Sequence, residues 1–179
     1  MNAGTKIVFV AGIHGVGKTG FVSNLARALK LPNASAGKLI SDHKKVLSDT
    51  DKRVKDVTGN QDALIEAIRL SPLSGSTFIL DGHFCVIDAS GKVQKIPKAT
   101  FEALSLICVV LLTNDIRVIQ DRLRRRDDKE YLLETLMAMQ KAETTHAQEV
   151  CSSLGIPLEI RTAPDIASAR KFIGLNLAK

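Results

Sequence analysis

The chain of 179 residues has no tryptophan, a single tyrosine and six phenylalanines. Proteins that grip single-stranded nucleic acid depend on exposed aromatic rings as stacking platforms, so that class ranks below binders of small nucleotides. Long apolar runs are missing too. Ile7–Ala11 falls far short of the roughly 20 residues a membrane helix needs, and the opening Met1–Lys6 lacks the apolar core of a secretory leader, which argues against export and membrane insertion. Three cysteines, Cys85, Cys108 and Cys151, stand far apart with no C-x-x-C pair. They offer neither a zinc site nor a disulfide framework, and point to a reduced, cytoplasmic protein. Low-complexity tracts, internal repeats and credible linkers are likewise absent, and the length suits one folded unit with a full core.

What is present begins with charge. Lysine and arginine outnumber aspartate and glutamate 25 to 19, a formal net charge of +6. That excess suits a polyanionic partner, but nucleotides, nucleic acids and acidic membranes all belong to that class.

Hydrophobic patterning supplies the order of elements. Lys6–Ala11 is a short β-branched run ending at a glycine, as in a parallel strand buried on both faces. Phe21, Val22, Leu25 and Leu29 have helical spacing, halted near Pro32. Helices are expected over about 36–47 and 60–70, separated by the polar link Ser48–Arg53, and a second buried strand over Thr77–Leu80 ends at Asp81. Phe84–Ile87 and Lys92–Ile96 flank the turn signal Asp88-Ala-Ser-Gly91, predicting a small hairpin. Ser105–Leu112 reads as a core strand, Asp115–Arg126 and about 129–153 as helices, Ile156–Ile160 as a last strand and Asp165–Leu177 as a last helix. Alternating strands and helices predict a three-layer α/β fold. Its parallel sheet has about five strands, with helices on both faces and a β-hairpin insertion.

One motif is individually specific. Gly12-Ile-His-Gly-Val-Gly-Lys18-Thr19 matches G-x-x-x-x-G-K-[ST], the phosphate-binding loop of P-loop NTPases, between the strand and helix it requires. Its glycines let backbone N–H groups curl round phosphate oxygens at the positive end of a helix. Gly12, His14, Gly15, Val16, Gly17, Lys18, Thr19 and Gly20 are the expected contacts to the nucleotide, with His14 a solvent-exposed spacer that takes no chemical part. Lys18 neutralises the β- and γ-phosphates of ATP, and the Thr19 hydroxyl holds Mg²⁺. Asp81, beyond the carboxyl end of a buried strand, serves Mg²⁺ or orients the acceptor; capping the turn into Gly82 is its plain structural alternative. Arg122 and Arg126 lie four apart on one helix face with Arg125 beside them, suited to charge developing on a migrating phosphoryl group. The alternative is a solvated basic helix end.

Gly12–Thr19, Ser35–Ile40, Leu80-Asp-Gly82 and Arg122–Arg126 together resemble adenylate kinases and related nucleoside monophosphate kinases, nearest to the compact archaeal-type members. The resemblance implies that the Ser35–Ile40 segment opens the monophosphate site and that Asp81-Gly82 lies beside the acceptor. It also implies that Arg122 borders the donor base while arginines near Arg126 clamp phosphates. Three features depart from the family: Ser41 stands where an arginine is usual, Asp81-Gly82-His83 lacks the Phe-Pro-Arg continuation, and the stretch after Arg126 is too short for a large lid. Acceptor contacts are therefore expected from Ser35, Gly37, Lys38, Arg53, Gln61 and His83, with Lys44 and Lys45 as further cations. Asn60 and Arg161–Pro164 are candidates for reading a base. Residues 1–179 are expected to form one kinase-like domain, with acceptor helices at about 36–70, the hairpin at about 84–96 and a short lid at about 124–129.

The expected activity is Mg-ATP-dependent phosphoryl transfer to a nucleoside monophosphate or similar small acceptor, with no obligate protein partner. The rival is an ATP-binding regulatory or assembly module acting on a protein or nucleic-acid partner. A kinase of nucleic-acid ends is a third reading, and it predicts steep salt dependence of binding.

Overall fold

The computed structural model describes residues 4–50, 59–88, 91–128, 130–162 and 165–178, without the side chains at 46–50 and 59–61. In chain order the elements are β1 (Lys6–Ala11), α1 (Lys18–Leu29), β2 (Asn33–Ser35), α2 (Ala36–Thr50), α3 (Gly59–Leu70), β3 (Thr77–Asp81) and β4 (Cys85–Ile87). There follow β5 (Val93–Lys95), α4 (Lys98–Ala103), β6 (Leu106–Thr113), α5 (Ile116–Asp127), α6 (Leu133–Leu154), β7 (Leu158–Thr162) and α7 (Ile166–Leu177).

Five strands form one sheet in the order β2-β3-β1-β6-β7, and every neighbouring pair is parallel. Side chains alternate across a strand, so β1 feeds two cores. Val8 and Val10 pack with Ile79, Val110 and Leu112 beneath α1, α5 and α7. Ile7, Phe9 and Ala11 pack on the opposite face with Phe78, Leu80 and Leu111 beneath α3, α4 and α6. The result is the three-layer fold expected from the alternation of elements. β4 and β5 pair antiparallel as a separate two-stranded ribbon, closed at its base where Ile96 N donates to Phe84 O at 2.8 Å.

Two elements were not foreseen. β2 is three residues of Asn-Ala-Ser with no strand signature of its own, and it exists through pairing with β3, Asn33 opposite Ile79 and Ser35 opposite Asp81. α4 has six residues, too few to display a period. Boundaries also moved: α2 continues to Thr50, which takes Ser48–Thr50 out of the anticipated link. α6 starts only at Leu133, behind the turn that closes α5. Two helix starts follow from side-chain caps. Asp115 accepts from Arg117 N at 2.7 Å, and Asp165 accepts from Ser168 N at 3.1 Å.

The central strand β1 lies between β3 and β6, and the chain fills one side of it with β2 and β3 before crossing to the other for β6 and β7. A crevice therefore opens outside the carboxyl end of β1, the place where open α/β sheets bind ligands.

Candidate functional site

The loop after β1 takes a conformation that only its glycines permit. Gly12, Gly15 and Gly17 have φ of 138°, 79° and 108°, a region that L side chains rarely adopt. Space is closed as well: a Cβ on Gly12 would lie 2.6 Å from Leu112 O, and one on Gly15 would lie 2.7 Å from Leu123 Cγ. α1 begins at Lys18 with Gly17 as its cap, a residue that makes no side-chain bond to the first-turn N–H groups. A helix start of this kind suits an anion at its positive end.

Lys18 is buried, and its Nζ curls back to donate to Gly12 O at 2.5 Å and Ile13 O at 3.3 Å. Burial draws its pKa down to about 8; Asp81 and Glu143 act against that shift and Arg126 adds to it. Asp81 stands at the end of β3 opposite Val10, and the ladder continues through Gly82 N donating to Val10 O at 3.0 Å. Its corner is packed so closely that a Cβ on Gly82 would touch the Phe9 ring at 2.7 Å. Half-burial raises the Asp81 carboxyl above its usual range, with Lys18 pulling the other way.

Sequence reasoning missed the group that joins these two loops. Glu143 of α6 is 1% exposed. Its Oε1 accepts from Gly12 N at 3.1 Å and Phe84 N at 2.9 Å, and its Oε2 accepts from Phe84 N at 2.9 Å and Cys85 N at 2.6 Å. One carboxylate therefore fixes the start of the phosphate loop against the segment after Asp81. Burial pushes its pKa upward, while the three N–H donors and Lys18 hold it down. A signal was present: Leu136, Met139, Glu143, Ala147 and Val150 fall on one helical stripe, and a carboxylate on an apolar stripe needs buried donors.

The cleft at the strand ends has a volume of about 960 Å³ and is lined by Gly15, Gly17, Lys18, Thr19, Gly20, Ser35, Gly37, Asp81, His83, Arg122 and Arg126, among others. His14 is exposed, as expected of it, and also lines the cleft; its ring packs on His83 with centroids 4.3 Å apart. Burial and then Lys18 lower the pKa of both imidazoles, that of His83 to about 2. Arg122 folds back onto the loop, donating to Val16 O at 2.8 Å and Gly15 O at 3.4 Å. Arg126 binds Asp127 at 2.5 Å and 2.7 Å, and Tyr131 Oη donates to the same carboxylate at 2.7 Å. Gly12 and Val16 are buried in the loop rather than on the cleft surface. Arg125 and Lys38 are exposed and stand outside the lining. Arg53, Lys129, Ala163 and Pro164 fall outside the described residues, as do the side chains of Asn60 and Gln61.

The chain belongs to the AAA domain family, whose model matches residues 11–137, from the end of β1 into α6. Among solved structures, a shikimate kinase from Acinetobacter baumannii in complex with shikimate is similar, with a TM-score of 0.59 at 16% identity over 97% of this chain and 93% of that one. A gluconokinase from Sinorhizobium meliloti 1021 gives a TM-score of 0.53 at 15% identity over 99% and 94%. An uncharacterized protein from Eubacterium ventriosum gives 0.52 at 13% identity over 98% and 99%. No curated protein matches the sequence. The shared ground is the fold of P-loop kinases at large rather than that of adenylate kinases in particular. Among the described residues, no helix is long and apolar enough to cross a membrane.

Proposed function

We propose that the protein is a Mg-ATP-dependent kinase that transfers the γ-phosphoryl group to a nucleoside monophosphate or similar small acceptor. The carrying observation is that Lys18, Arg122 and Arg126 line one cleft with the glycine loop while Asp81 faces them. The gluconokinase and shikimate kinase likenesses add weight, since both proteins are named as kinases of small molecules.

ATP fits the residues present: glycines that a Cβ would obstruct, a helix start capped by glycine, and a buried ammonium at the loop that donates to backbone carbonyls. Thr19 would hold Mg²⁺ directly, and Asp81 would reach it through the water that completes the shell of a cation taking few protein oxygens. Held there, the ion would supply neutralisation of phosphate charge. The protein's own part is positioning and electrostatics. Lys18 leaves Gly12 O for the phosphates, and Arg122 keeps the loop in shape from behind through Val16 O. Arg126, released from Asp127, meets the charge on the transferred group; Arg125, exposed and outside the cleft lining, takes no part. Asp81 orients the acceptor and takes up its proton. Ser35, Gly37 and His83 contact the acceptor, with Lys38, Arg53 and Gln61 as further candidates from the segment around 36–70. In this scheme residues 1–179 act as one domain, and the short segment at about 124–129 closes over the donor.

The test is ADP formation from Mg-ATP by the purified protein, with and without each common nucleoside monophosphate and a panel of small alcohols, beside Lys18→Ala. Acceptor-dependent ADP release that Lys18→Ala abolishes is the expected result. Full activity of Lys18→Ala overturns the assignment, and hydrolysis indifferent to every acceptor favours a regulatory ATPase module instead.

A further inference from the structure

The two halves of the cleft differ in kind. The donor half gathers Lys18, Arg122 and Arg126. Among the described residues, the acceptor half presents one lysine or arginine, Lys95, whose Nζ is taken by Glu149 Oε2 at 2.8 Å. Its other charged linings are the carboxylates Asp81 and Asp88. Among the described residues, a phosphate or carboxylate on the acceptor would meet like charge there and no bidentate cation of the kind anion recognition uses.

The walls of this half are apolar. Ile40, Ile87, Ile96 and Phe101 line it, and the hairpin leaves Ile87 42% exposed, with Val86 beside it at 40%. At the floor Thr100 is 5% exposed, and its Oγ1 has no hydrogen-bond partner. His83 Nδ1, in the same lining, is also buried without one. A buried polar atom with no partner is costly. Two of them on one apolar pocket are what a ligand with matching polar groups would satisfy.

We propose, resting on the kinase assignment above, that the acceptor is an uncharged alcohol with an apolar body, held between the β4–β5 hairpin and α4 by a hydrogen bond to Thr100 Oγ1. Its hydroxyl faces Asp81. The hydroxyl oxygen bonds to the γ-phosphorus as the bond from that phosphorus to the β–γ bridging oxygen breaks. The hydroxyl proton passes to Asp81 and on to water. The products are ADP and a neutral body bearing one new phosphate ester. Nucleosides, with a flat body and free hydroxyls, belong to this class.

The full chain, loaded with Mg²⁺ and a non-hydrolysable ATP analogue, is tested by saturation-transfer NMR against adenosine, cytidine, thymidine, benzyl alcohol and cyclohexanol. Each is paired with an anionic counterpart: the 5′-monophosphates, benzoate and cyclohexanecarboxylate. At least one neutral probe binds, and its counterpart binds more weakly. Thr100→Val keeps the shape and removes only the hydroxyl, so it weakens the best neutral probe about 3- to 10-fold. It leaves affinity for the ATP analogue and the melting temperature undiminished. Preference for the anions, failure of every neutral probe, or unchanged affinity in Thr100→Val overturns the proposal. The monophosphate arm also tests Arg53, which lies outside the described residues. ADP formation separates the two assignments. A monophosphate that is phosphorylated leaves the kinase assignment standing and removes the neutral acceptor. If a neutral probe binds through Thr100 while no acceptor of either kind yields ADP, the neutral binding pocket stands but the kinase assignment falls, and the phosphoryl-transfer step proposed here falls with it.

Discussion

Replacing Glu143 by Gln probes the joint between the phosphate loop and the strand-end corner. The carboxylate serves Gly12 N through Oε1, Cys85 N through Oε2 and Phe84 N through both. Glutamine has one carbonyl oxygen, so its amide nitrogen must face either Gly12 N or Cys85 N. One backbone donor is then buried without an acceptor, at a cost of about 1–3 kcal/mol. Removing a charge whose burial is itself unfavourable offsets part of this, leaving a net loss of about 1–2 kcal/mol. For a chain of this size that corresponds to a fall of about 2–8 °C in melting temperature. Circular dichroism melting reads the stability, and titration with a fluorescent ATP analogue reads the loop. Both should suffer, because Gly12 also carries the carbonyl that holds Lys18 Nζ. A variant that melts with the wild type and binds the analogue equally well would refute the idea that this carboxylate organises the site.

Lys18 sheds its proton near pH 8 in the folded chain, against an ordinary value of 10.5, so the unfolded chain holds more protons between those values and stability should rise with pH across that window. Phosphate favours the ammonium form. ATP binding above pH 8 should therefore take up a proton and weaken as pH rises, which calorimetry in buffers of different ionisation enthalpy will detect; pH-independent affinity to pH 9.5 would contradict it. Gly15→Ala forces a side chain into positive φ and onto Leu123, so it should lose about 2–4 kcal/mol and most nucleotide binding, as read by denaturant unfolding and the same titration. Burial pushes the thiols of Cys85, Cys108 and Cys151 up to about 11, 12 and 11. An aromatic disulfide reagent at pH 8 should label none of them in the native protein and all three after denaturation; rapid native labelling would show a site more open than described.

Much of the fold was legible because its signals are local. β1, the glycine loop and α1 declare themselves through a β-branched run, a spacing that only a phosphate loop requires, and a helical period that follows at once. The hairpin was legible from its turn residues. Arg122 and Arg126 were legible as a pair because residues four apart share a helix face, and both reach the cleft while Arg125 does not. β2 and Glu143 could not be assigned locally. Asn33–Ser35 is a strand only because β3 presents a free edge, and Glu143 stands 131 residues from the glycine it holds. His14 gave no sign of packing on His83, since nothing near either residue records that the other is there.

The sequence by itself determined the class of chemistry, for the phosphate loop depends on glycines and one lysine within eight neighbouring positions, and that need is written in order along the chain. Tertiary structure decided what faces the other half of the cleft. The orphan hydroxyl of Thr100, the apolar hairpin and the carboxylate that locks two loops together arise where segments distant in sequence meet, and burial gives each its energetic meaning only after the sheet has closed.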